Sequence, residues 1–114
     1  VFFTNSGTEA CELAVKMARK FWSDQGRPDR TRILAFEGAF HGRSSAAIAA
    51  AGSEKMVKGF GPLLSGFTQL AWGDHAALDA AIRAGDVGAV IVEPIQGEGG
   101  IRALPDACLK GLRD

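Results

Sequence analysis

The chain has 114 residues and a formal net charge of zero, with 13 Lys and Arg against 13 Asp and Glu. That balance argues against nucleic acid or an acidic membrane face as the main partner, because both reward a net basic surface. No run approaches the ~18–20 apolar residues of a membrane helix, and the start lacks the basic-then-apolar pattern of a signal peptide. The two cysteines, Cys11 and Cys108, stand nearly a chain length apart. They make neither a disulfide framework nor a metal cluster, so a reducing cytoplasm is the simplest setting. Fifteen glycines are an excess over usual composition, and no collagen-like or linker repeat accounts for them.

The first residues, Val1-Phe2-Phe3-Thr4, are an apolar run without an initiating methionine. They are expected to form a strand, and the chain is expected to be cut from a longer one at both ends. Asn5-Ser6-Gly7-Thr8-Glu9 reads as a turn into a helix, with Ser6 and Glu9 at capping-box spacing. Ala10, Ala14, Met17, Ala18 and Phe21 then fall on one helical face, and Gly26 and Pro28 end the helix. Arg32–Phe36 is a buried strand by composition, Ser44–Ala51 a short small-sided helix, and 52–66 an irregular stretch rich in glycine. Phe67–Trp72 is a further strand, Asp74 caps a helix over 76–84, and Val87–Val92 is the clearest buried strand. Glu93–Gly100 is a loop, and Pro105 sits in the first turn of a last helix. Strands alternating with helices predict an α/β fold with a mostly parallel sheet, whose ligands bind beyond the carboxyl ends of the strands.

Three glycine-containing loops are expected at that end. Ser6-Gly7-Thr8 offers free backbone N–H groups, a hydroxyl and a residue without a side chain at a helix start, which is the chemistry of a phosphate site. The alternative is that Ser6 only caps its own helix. The turn is neither a P-loop nor a dinucleotide fingerprint. In Gly38-Ala39-Phe40-His41-Gly42-Arg43, Phe40 suits stacking on a flat ligand and Arg43 suits a bidentate grip on a carboxylate. Core packing of Phe40 and solvation of Arg43 are the competing readings, and His41 is read as a satisfied structural histidine. The third loop, Glu93-Pro94-Ile95-Gln96-Gly97-Glu98-Gly99-Gly100, has two carboxylates and an amide directly after a strand read as buried. An acid there must find a donor or a ligand, and Glu98 between glycines is suited to reach into a cleft. Asp29–Arg32 is read as a solvated turn, Phe21-Trp22 as core or interface, and His75 as exposed.

Together the three blocks, Phe2–Ala10, Phe36–Ser44 and Val92–Gly100, resemble the class III, fold-type-I aminotransferases that use pyridoxal phosphate. Within that family they are nearest to the branch acting on N-acetylornithine. Their order and spacing match, and Lys58-Gly59-Phe60-Gly61-Pro62 between them is similar to the family as well. The resemblance implies part of a three-layer α/β/α large domain over residues 1–114. It implies pyridoxal 5'-phosphate as cofactor, with Gly7 and Thr8 at its phosphate and Phe40 against its ring. Arg43 is implied to bind the substrate carboxylate. Glu98 is implied to act as a gatekeeping acid that pairs with an arginine elsewhere, and Glu93 to support the cofactor.

Small amino-acid and 2-oxo-acid substrates, and a homodimer, follow from the same resemblance. Ser44 replaces the family's usual threonine and keeps its hydroxyl. The family's aspartate and cofactor-bearing lysine have no match among these residues, so no catalytic residue is assigned and the piece is expected to be inactive alone. The rival readings are another class III enzyme, acting on ornithine, succinylornithine or 4-aminobutyrate, and a non-catalytic phosphate-binding α/β module.

Overall fold

The computed structural model describes residues 1–114. Its centre is β1 (Arg32–Phe36), an apolar strand whose last four residues are all buried. On one side β1 pairs in parallel with β2 (Phe67–Leu70), from Ile33 opposite Phe67 to Phe36 opposite Leu70. On the other it pairs in parallel with β3 (Val87–Val90), with a register shift between Arg32 and Ile33. The order β2-β1-β3 means that the chain crosses over β1 between its second and third strands. Parallel neighbours start and end together, so the loops leaving β1 and β3 emerge side by side.

Strand alternation divides the core into two layers. Ile33 packs with Val15 of α1 (Gly7–Asp24) and Ala46 of α2 (Ser45–Ala51). Leu34 and Phe36 point the other way, toward Leu78 of α4 (His75–Arg83) and Cys108 of α5 (Asp106–Arg113). Helices therefore cover both faces, which is the expected α/β/α layering. The short α3 (Glu54–Val57) follows α2 after Gly52 and Ser53, so the stretch 52–66, read as irregular, holds one turn of helix. In α2, six of the seven residues are buried, and five of those six are alanine, so the helix lies close against the sheet. Gly52 ends it in the left-handed conformation, at φ 64°. The Gln69 side chain of β2 donates to the carbonyls of Ala49 (2.8 Å) and Ala50 (2.9 Å), which the helix end would otherwise leave unpaired.

The expected caps form. Ser6 Oγ accepts the Glu9 N–H at 3.2 Å and also donates to Glu9 Oε2 at 3.2 Å. Asp74 Oδ1 accepts the Ala77 N–H at 2.9 Å. Arg32–Phe36 forms with the expected bounds, and the other elements shift by a few residues at their ends.

Five further expectations change. Val1–Thr4 is not a strand: no other strand lies beside it, and Phe2 and Phe3 are 72% and 87% exposed. The helix it leads into buries a different face from the one expected. Met17 and Phe21 are more than half exposed, whereas Val15 is buried and Trp22 donates from Nε1 to the Gly88 carbonyl at 2.7 Å. Both faces of α1 carry apolar residues, so spacing alone did not choose between them.

The strand read as most buried, β3, is half-buried beyond Val87 because it lies at the sheet edge, and β1 takes the central position. Asp29–Arg32 is not simply solvated. Arg30 stacks on Trp22 at 4.3 Å, and Arg32 pairs with Asp86 at 2.6 Å. Finally, the stretch read as one loop contains β4 (Ile95–Gln96), antiparallel to β5 (Arg102–Ala103), with Gln96 directly opposite Arg102.

Candidate cofactor and substrate site

At the carboxyl ends of β1 and β3 lies a cleft of about 1030 Å³. Phe40, Arg43 and Glu98 all line it, together with Met56 and Phe60 from the segment after α2. The loop after β1 thus contributes an aromatic ring and a guanidinium, and the loop after β3 a carboxylate. Phe40 is half-buried, and Arg43 and Glu98 are exposed. Neither charge takes part in the chain's ion pairs, which join Lys20 to Asp24, Arg27 to Asp29, Arg32 to Asp86 and Arg83 to Asp79. A cation and an anion sharing one cleft without pairing can each meet a charged group of a ligand.

The Gly7-Thr8 turn lies just outside this cleft and is joined to it through one close approach. Gly42 stands between Phe40 and Arg43 at φ 112°, and a Cβ there would come within 2.6 Å of Thr8 Oγ1. The absence of a side chain at Gly42 lets the start of α1 press directly against the Phe40–Arg43 loop. At that start the N–H groups of Gly7 and Thr8 donate to no acceptor, whereas those of Glu9 and Ala10 are taken up by Ser6. A Cβ at Gly7 would meet nothing within 4 Å. Two free donors, open space and the positive end of an 18-residue helix match an anionic group such as a phosphate. The capping reading of Ser6 and the anion reading of the turn are therefore compatible, because they use different N–H groups.

Glu93 has found the donor its position demanded. Its Oε2 accepts the backbone N–H of Phe40 at 3.0 Å, so one loop's acid fixes the backbone beneath the other loop's ring. His41 is 6% exposed, but its Nε2 has no hydrogen-bond partner, so it is buried without being satisfied. Burial pushes the His41 imidazole below its usual range, and the nearby Glu93 carboxylate only partly opposes this. The Cys11 thiol is pushed up, first by burial and then by the charges of Glu12 and Glu93, which makes it a poor nucleophile.

Two residues escaped the sequence reading. Gln96 is completely buried. Its Nε2 donates to the Glu37 carbonyl at 3.0 Å, and its Oε1 accepts from Arg102 Nε at 3.0 Å. Arg102 also donates to the Glu37 carbonyl at 3.2 Å and stacks over Trp72 at 5.0 Å. Their signal was available as an amide and an arginine six residues apart around a glycine turn, a spacing that a short hairpin brings face to face.

All 114 residues match the family model described as aminotransferase class-III, over residues 1–114. The chain belongs to the class III aminotransferases. It is 68% identical over 114 residues to an acetylornithine aminotransferase of Rhodobacter capsulatus, covering 100% of this chain and 29% of that one. An acetylornithine aminotransferase 2 of Caulobacter vibrioides is 57% identical over 113 residues, covering 99% of this chain and 28% of the relative. In three dimensions the chain is similar to the ornithine aminotransferase of Toxoplasma gondii, with a TM-score of 0.89 at 33% identity. That match covers 96% of this chain and 26% of the other, and the Toxoplasma gondii structure has partial occupancy of pyridoxal phosphate at its active site. The chain therefore spans less than a third of the length of these three aminotransferases.

Proposed function

We propose that these 114 residues are part of the cofactor-binding large domain of a pyridoxal-phosphate-dependent aminotransferase. Its reaction is the transfer of an amino group from N-acetylornithine to 2-oxoglutarate, giving N-acetylglutamate 5-semialdehyde and glutamate. One observation carries this reading: the unpaired N–H groups of Gly7 and Thr8 adjoin, through Gly42, a cleft lined by Phe40, Arg43 and Glu98. The two N–H groups would hold the phosphate of the cofactor, and Phe40, braced by Glu93, would lie against its ring. When bound, pyridoxal phosphate supplies the electron sink that amino-group transfer needs.

The chain's own residues bind and orient. Arg43 presents a guanidinium fork to a substrate carboxylate. Glu98, as a carboxylate in the same cleft, favours a cationic amino substrate and disfavours a second carboxylate. The reading includes a cofactor-bearing lysine in another part of the polypeptide, a homodimer, and a role in cytoplasmic arginine biosynthesis. The preference for N-acetylornithine over ornithine is supported by the higher identity to the acetylornithine aminotransferases than to the Toxoplasma gondii ornithine enzyme.

The test is glutamate formation from 2-oxoglutarate by the full-length polypeptide, with N-acetylornithine, ornithine, succinylornithine and 4-aminobutyrate compared as donors. The expected order has N-acetylornithine first by kcat/KM. A different leading donor overturns the substrate assignment. Phosphate-dependent binding without turnover of any donor favours the non-catalytic module instead.

A further inference from the structure

Arg43 and Glu98 carry opposite charges into one cleft, yet they do not pair. Both side chains are exposed, so their mutual attraction is weak and their separation is set by the backbones that carry them. Both sit on glycine-containing loops, and hydrogen bonds join those loops beneath the cleft. Gln96 lies two residues before Glu98, is completely buried, and donates to the carbonyl of Glu37 at the base of the Phe40–Arg43 loop. Arg102 fixes the other end of the same amide and reaches the same carbonyl.

Around this amide the two loops meet backbone to backbone, at glycines that leave no room for a side chain. A Cβ on Gly38 would stand 2.7 Å from Arg102 Nη2 and 3.0 Å from Gln96 Oε1. A Cβ on Gly99 would overlap Gln96 Oε1 and stand 2.9 Å from the Gly38 carbonyl. Glu98 is therefore held on both sides, by Gln96 two residues before it and by Gly99 immediately after it.

We infer that Gln96, oriented by Arg102, is a positioning residue that keeps the Glu98 backbone at a fixed separation from Arg43, so that the two charges share the cleft without neutralising each other. It touches neither substrate nor cofactor. Its effect on ligands passes entirely through Glu98, and any movement of that carboxylate is a side-chain rotation on a fixed backbone. The inference rests on the aminotransferase reading insofar as the cleft receives a dicarboxylic substrate.

The test uses the full-length protein with cofactor bound and measures the affinity for glutarate, a dicarboxylate without a reactive keto group, by calorimetry. Gln96→Met keeps the bulk of the side chain and removes both of its hydrogen bonds. It should let Glu98 close on Arg43 and weaken glutarate binding about tenfold, the scale of coupling within one network. Glu98→Gln added to that variant removes the attraction and should restore affinity to within about threefold of the Glu98→Gln single variant. A merely structural role for Gln96 would give no such rescue.

If Gln96→Met does not fold, Arg102→Gln releases the same amide from outside the core and should give the same weakening and the same rescue. Unchanged glutarate affinity in the variants, or a loss that Glu98→Gln leaves in place, overturns the positioning role. Absence of glutarate binding in the unmodified protein overturns the reading of the cleft itself, and the inference falls with it. The unmodified protein thus reports on the reading and the variants on the inference.

Discussion

Replacing Gly7 by proline tests the anion site without disturbing the helix that forms it. Gly7 is the first residue of α1, the position where proline is best tolerated because its missing N–H has no helical acceptor. Ser6 before it is extended, at φ −152° and ψ 164°, which is the conformation that a following proline requires. A Cβ at Gly7 meets no atom within 4 Å, and the Gly7 N–H donates to nothing within the chain. The substitution therefore removes one of two free donors while leaving the Ser6–Glu9 cap in place. A hydrogen bond to a charged group contributes about 1.5–3 kcal/mol, so cofactor affinity should fall roughly 10- to 150-fold. The assay is titration of the cofactor-free full-length protein with pyridoxal phosphate, followed by absorbance, beside thermal melting of the cofactor-free form. Unchanged affinity in a variant whose cofactor-free form melts normally would refute the assignment of this turn to the phosphate.

Three further outcomes follow from the same geometry. Alanine at Gly99 must displace Gln96 and should cost about 2–4 kcal/mol from overpacking and broken buried hydrogen bonds. Alanine at Gly97, where a Cβ meets nothing, should stay within about 0.5 kcal/mol, and equal urea midpoints for the two variants would contradict the close packing of Gly99 on Gln96. Glu93→Ala leaves the Phe40 N–H without its acceptor and should cost about 1–3 kcal/mol, while Glu93→Gln, which keeps an acceptor oxygen, should recover most of it in the same unfolding experiment.

The pH dependence of stability comes from His41, whose folded pKa lies below its usual value of 6.5 because of burial. Folding then favours the neutral ring, so its effect on stability is nil above pH 6.5 and becomes a loss as pH falls from there toward the folded pKa. The melting temperature should begin to drop as pH falls below about 6.5, ahead of the carboxylate range, and His41→Gln should flatten that drop. An identical profile in the variant would remove His41 as the cause.

What the sequence revealed of this fold divides along a physical line. Local rules suffice where a residue acts on its own neighbours. Ser6 and Asp74 cap the helices they precede, and Arg32–Phe36, apolar after its first residue, becomes the central strand, buried from Ile33 on. Pattern fails where the answer depends on what lies opposite. Helix α1 has apolar residues on two faces, and only the sheet decides that Val15 turns inward while Met17 and Phe21 stay out. Val1–Thr4 has strand composition but no strand beside it, and unpaired backbone groups do not make a strand. Arg30 and Arg32 looked solvated because their partners, Trp22, Gly85 and Asp86, are remote from them in sequence or meet them only across the sheet.

The same line runs through the site. Phe40, Arg43 and Glu98 were legible as candidates, and all three line one cleft. The supports beneath them were not, because Gln96 and Arg102 act on backbone and on each other, and their six-residue spacing signals a contact only once the turn between them is known to form a hairpin. The glycines connect the two levels. Gly42 admits Thr8 against the Arg43 loop, and Gly38 and Gly99 admit each other's backbone around Gln96. An excess of glycine first read as room for a ligand is, at these three positions, room for one loop to press on another. The site's charges are exposed, and its rigidity comes from contacts that only residues without side chains can make.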